Sequence, residues 1–183
     1  MRKINAVISS SILVLFAIHG VIGGFQLAGI YPGGVRVLKM LARLMLTLIL
    51  VHGAIGIRLT IDTLYAMKKA GVSYWKDNRL FWARRISGFA VFFLILFHVI
   101  LFLGTEADGA YRLRLFAMPQ LLLHLLLVAV TALHVIANVR PVLIACGIRS
   151  LKEIAAELIA VLCVILVFAG AMFVLYYFRW MTV

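Results

Sequence analysis

Carboxylates are scarce in this chain: six Asp and Glu stand against eighteen Lys and Arg in 183 residues. All six (Asp62, Asp77, Glu106, Asp108, Glu153 and Glu157) fall in connecting segments or near the ends of apolar runs. That placement argues against a proton-relay transporter, which buries acids along its route through the membrane. Cysteine is limited to Cys146 and Cys163, far apart and in no metal-type spacing, so both read as helix residues. The three prolines, Pro32, Pro119 and Pro141, all fall at predicted turns or helix ends. Charge of either sign is thin, at 13% of residues, and clusters between long uncharged runs.

What fills the chain instead is apolar: 66% of residues are hydrophobic and the mean hydropathy is +1.15. A soluble domain of this length has no means of hiding so much apolar surface, since ordinary usage is nearer half. A net charge of +12 would suggest nucleic acid in a soluble protein. Here it implies basic cytoplasmic loops touching anionic headgroups or acidic partner subunits, and no nucleic acid.

A hydrocarbon core of about 30 Å takes about 20 apolar residues as helix. Five stretches qualify, roughly 5–28, 38–60, 82–104, 117–139 and 155–178. The expected fold is therefore all-α: a single membrane domain over 1–183, built as a five-helix polytopic bundle. The first stretch is too long for a signal-peptide core and no A-x-A-like site follows it, so it reads as a retained helix. Pro32 with Gly33 and Gly34 predicts a tight first turn, Pro119 the start of the fourth helix and Pro141 a position past its end.

Orientation follows from the basic residues. With the N-terminus inside, the inner segments hold Arg2, Lys3, Arg58, Lys68, Lys69, Lys76, Arg79, Arg84, Arg85, Arg140, Arg149 and Lys152. The outer ones hold only Arg36, Lys39, Arg43, Arg112, Arg114 and Arg179. That bias predicts an inside N-terminus and an outside C-terminus in a cytoplasmic membrane. The longest inner connection, about 61–81, carries Tyr74 and Trp75 among its basic residues. It reads equally as an interfacial stretch on headgroups and as a docking platform for a soluble partner.

All five histidines lie inside the apolar stretches: His19, His52, His98, His124 and His134, on the first four helices. A single such histidine is as readily a hydrogen-bonded packing residue as a ligand, but four consecutive helices each supplying one point to function. Counting depth along antiparallel helices at 1.5 Å per residue brings His19 level with His98, ~21–24 Å above the inner edge. His52 comes level with His134, ~5–10 Å above it. Two facing imidazoles at one depth are what bis-histidine ligation of a haem iron requires. No C-x-x-C-H occurs, so the haems would be non-covalent, b-type groups. Zinc and copper sites usually gather their ligands at one point with carboxylate or thiolate, which these histidines do not.

His124 lies ten residues from His134, ~15 Å of rise toward the outer level. Taking it as the fourth ligand would leave His52 alone. It therefore reads as a packed, hydrogen-bonded residue or as a neighbour of an outer haem or quinol. His19-Gly20-Val21-Ile22-Gly23 and His52-Gly53-Ala54-Ile55-Gly56 share the string H-G-x-I-G. Gly23 and Gly56 would clear side-chain bulk where a flat macrocycle approaches, with small-residue helix packing as the plainer reading.

The four-histidine order, with Arg85-Ile86-Ser87-Gly88 matching an Arg-x-(Ser/Thr)-Gly string, resembles the di-haem cytochrome b anchors of succinate dehydrogenases and fumarate reductases. The resemblance covers nearly the whole chain. It implies haems bridging the first helix to the third and the second to the fourth, and flavoprotein and iron–sulfur subunits on the cytoplasmic face. It further implies exchange of electrons with a quinone, such as menaquinone, with a dimer of complexes as one arrangement. Arg58 and Arg84 could pair with inner-haem propionates or snorkel to headgroups. Arg85 and Ser87 could line an inner quinone site, and Glu106, Gln26, Tyr31 and His124 an outer one. Some members carry a glutamate two residues before the fourth ligand, where this chain has Ala132; proton transfer by that route is not expected here. Two other readings remain: an anchor for a different flavin-dependent reductase, and a non-haem transporter or assembly protein whose histidines merely pack.

Overall fold

The computed structural model describes residues 1–71, 79–103, 105–107, 110–112, 116–148 and 151–181. Five long helices account for nearly all of it: α1 (Arg2–Leu27), α2 (Arg36–Lys69), α3 (Arg79–Phe102), α4 (Met118–Ala145) and α5 (Leu151–Met181). All five are long and apolar enough to cross a membrane. Large apolar side chains such as Val14, Leu50, Phe93, Leu126 and Val167 stand on the outside of the bundle, where lipid rather than water is the compatible solvent. The chain is an all-α, multi-pass membrane protein.

Two helices run well past the ends that an apolar count suggests. The expected second helix ends near residue 60, whereas α2 continues to Lys69. Nothing between Arg58 and Lys69 breaks a helix, and Arg58 and Asp62 form an i,i+4 ion pair at 3.3 Å. At 1.5 Å per residue α2 is ~51 Å long, so several turns project beyond a ~30 Å hydrocarbon core. α4 also passes through Pro141, expected past its end, and stops at Ala145. A proline inside a helix removes the N–H that would serve the carbonyl four residues back, here Ala137. That carbonyl accepts instead from the Arg84 side chain, Nε to O 2.8 Å, so the helix continues without an orphaned acceptor.

α1 and α4 close on glycines. Gly29 (φ +75°) and Gly147 (φ +80°) take the left-handed position that ends a helix, with Ile30 and Ile148 N–H bonded back to Phe25 and Leu143 carbonyls. The Leu27 carbonyl also accepts from Arg179 Nη1 of α5 at 3.0 Å. A short antiparallel ribbon, β1 (Thr105–Ala107) with β2 (Ala110–Arg112), lies between α3 and α4 and pairs Glu106 with Tyr111.

Packing arranges α1, α2, α3 and α4 around a square, each against its neighbours, with α2 touching α3 only lightly. α5 lies outside, against α1 and α4. Gly20 and Gly24 face Ile165 and Phe168 of α5, the small-residue contact that lets membrane helices approach closely. The two diagonals of the square, α1 to α3 and α2 to α4, hardly approach each other. Leu27, Phe116, Leu121, Phe173 and Tyr176 form an apolar core at the end of the bundle opposite the N-terminus.

Candidate haem centre

The histidines span those two diagonals. His19 of α1 faces His98 of α3 with ring centroids 6.0 Å apart, and His52 of α2 faces His134 of α4 at 6.4 Å. In both pairs the ring planes are nearly perpendicular, at 82°. Two imidazoles bound to opposite faces of one iron through N–metal bonds of about 2.0 Å have centroids about 6.3 Å apart. The spacing of each pair fits that requirement, across helices that otherwise leave a gap. Among the described residues no three of His, Cys, Asp and Glu gather as a metal-binding group.

The pair nearer the N-terminal face is held from behind by serines. Ser9 Oγ of α1 lies 3.2 Å from His52 Nδ1, and Ser87 Oγ of α3 lies 3.1 Å from His134 Nδ1. Each hydroxyl donates to a carbonyl on its own helix, Ser9 to Asn5 at 2.8 Å and Ser87 to Arg84 at 3.3 Å. With that proton committed to the carbonyl, each hydroxyl oxygen accepts from its histidine in the tautomer that carries the proton on Nδ1. Nε2 is left with its lone pair, the form in which imidazole binds a metal. Ser87, one of two residues that could line an inner quinone site, is 2% exposed and lies against His134. The same hydrogen bonds give the vertical offset between the pairs. Ser9 lies ten residues before His19 on α1 and Ser87 eleven before His98 on α3, so the levels differ by ~15–17 Å.

Glycines border both pairs. A Cβ built on Gly23 or Gly53 would meet nothing within 4 Å, and one on Gly56 only Arg85 Nη1 at 4.0 Å. Gly23 lines a cavity with His19, Ile22, Gln26 and Leu38. Gly20, beside His19, instead packs on α5. Gly88 admits the His134 ring: a Cβ there would stand 3.1 Å from His134 Cε1.

The arginines divide. Arg84 is committed to Ala137. Arg85 stacks over Phe81 at 5.2 Å, points toward Gly56, and its buried Nε has no hydrogen-bond partner among the described residues. A carboxylate such as a haem propionate would complete it. Arg58 is exposed and paired with Asp62. Gln26 donates to the Pro32 carbonyl at 2.9 Å, and Tyr31 is exposed. Tyr74, Trp75 and Lys76 of the expected docking platform lie outside the described residues, as does the Glu106 side chain.

His124 is 1% exposed, enclosed by Phe102, Phe116 and Phe173, and its ring lies 5.3 Å from that of His98. Spacing along α4 places it at the far level, and the structure brings it there. Neither Ser9 nor the Arg84–Ala137 bond is apparent from motifs. The one signal for Ser9 is that it stands on α1 at the depth calculated for His52.

Comparison with curated proteins and with solved structures yields no match in either case. Residues 73–172, more than half of the chain, match the family described as Succinate dehydrogenase/Fumarate reductase transmembrane subunit. That span contains Ser87, His98, His124 and His134, while His19 and His52 precede it. The chain belongs to the transmembrane-subunit family of succinate dehydrogenases and fumarate reductases.

Proposed function

We propose that this chain is a di-haem b-type anchor that transfers electrons between a membrane quinone, menaquinone or a relative, and flavoprotein and iron–sulfur subunits. The single observation carrying this reading is the pair of histidine couples at 6.0 and 6.4 Å on the open diagonals of the bundle. His19 and His98 would hold one haem and His52 and His134 the other. When bound, haem supplies reversible one-electron transfer at its iron. The chain's own part is to fix His52 and His134 in the Nε2-free form and to hold the two sites at fixed levels. Gly23, Gly53 and Gly56 leave room for a macrocycle, and Arg85 is the cation best placed for a propionate.

The soluble subunits would dock on the N-terminal face, taken as cytoplasmic from the basic bias. There the projecting end of α2 carries Lys68 and Lys69, and α3 begins at Arg79. The test is a dithionite-reduced minus oxidised spectrum of the purified chain with pyridine extraction. A b-type α-band and about two haems per chain are expected; no haem at all would overturn the reading.

A further inference from the structure

Both histidines of the near pair have a serine behind Nδ1. On the far pair, His98 has no serine there; its Nδ1 is buried and has no hydrogen-bond partner among the described residues. The same holds for Nε2 of His124. These two orphaned nitrogens belong to rings whose centroids are 5.3 Å apart and whose planes are inclined by 59°. Imidazoles joined by an N–H···N bond of about 2.9–3.0 Å have centroids about 5.2 Å apart. The ring spacing therefore suits such a bond once the two nitrogens turn to face each other.

The proton assignments agree. His124 Nδ1 lies 2.6 Å from the Gln120 carbonyl oxygen, which can only accept, so that nitrogen carries the proton. Nε2 of His124 is then a lone pair with nothing to receive. A His98 that offers Nε2 to a metal has its proton on Nδ1 and needs such an acceptor. The surrounding Phe102, Phe116 and Phe173 rings provide none.

We propose that His124 is the positioning residue of His98, accepting its Nδ1–H and so presenting Nε2 of His98 to the far haem. The relay runs from the Gln120 carbonyl through His124 to His98, and does for the far site what Ser9 and Ser87 do for the near one. It rests on the haem reading above. Accepting that proton makes His98 a more basic ligand, which favours oxidised iron.

The test is a redox titration with low-spin EPR of the haem-loaded full chain, comparing His124→Phe and His124→Gln with the parent; His19→Ala identifies the far signal. In His124→Phe the far haem should lose about ten- to a hundredfold in affinity. Its midpoint should rise by about 59 mV for each tenfold lost by the oxidised form relative to the reduced. The near haem should not move. His124→Gln keeps an acceptor and should restore the far signal at least partly. Should His124→Phe fail to assemble, His124→Leu against His124→Gln carries the same comparison. An unchanged far midpoint and EPR signal, an equal shift in both haems, or a far haem that survives His98→Ala but not His124→Phe would overturn the proposal. A parent chain without haem would instead overturn the functional reading, so the two failures are distinct.

Discussion

The Ser87 hydroxyl lies 3.1 Å from His134 Nδ1 while donating its own proton to the Arg84 carbonyl. In that arrangement one buried serine favours the His134 tautomer whose Nε2 is free. Ser87→Ala leaves the His134 N–H without that acceptor at a cost of about 1–3 kcal/mol. We expect it to weaken the near haem by about ten- to a hundredfold, and Ser9→Ala to act on the same haem through His52. Haem titration of the stripped chain checks this, and a loss confined to the far haem would contradict it.

Arg84 and Pro141 act on the same acceptor, the Ala137 carbonyl. Arg84→Met should destabilise the bundle by about 1–3 kcal/mol in the parent background. In Pro141→Ala, where the helix supplies its own N–H, the same change should cost clearly less. Unfolding in a detergent–SDS series measures the cycle. Equal costs in both backgrounds would mean that Arg84 acts elsewhere.

Helix number, the two histidine levels and the separate position of His124 are all legible from spacing, because a bilayer fixes helix length and 1.5 Å per residue converts position to depth. Depth cannot reveal azimuth. Gly20 and Gly23 stand alike in the string H-G-x-I-G, yet one faces Ile165 and the other an open cavity. Ser9 and His52 are 43 residues apart, and no local pattern links them. Pro141 reads as a terminator because the residue that compensates for it, Arg84, lies on another helix. The extension of α2 to Lys69 is hidden by its polar composition, which marks the limit of the hydrocarbon rather than that of the helix.

Two glycines should separate the sites. Gly88→Ala would put a Cβ 3.1 Å from His134 Cε1, displacing the ring and lowering near-haem occupancy. Gly23→Leu fills the open space beside His19 and should lower far-haem occupancy alone. Haem content and the split of the reduced α-band report both. A Gly23→Leu chain with its full far haem would show that the macrocycle does not lie against that face.

The most direct test of the account is which haem each ligand variant loses. His19→Ala and His98→Ala should each abolish the same one of two redox transitions, and His52→Ala and His134→Ala should each abolish the other. All four variants should keep about one haem per chain. Loss of the same transition in His19→Ala and His52→Ala, or no haem in the parent chain, would contradict it.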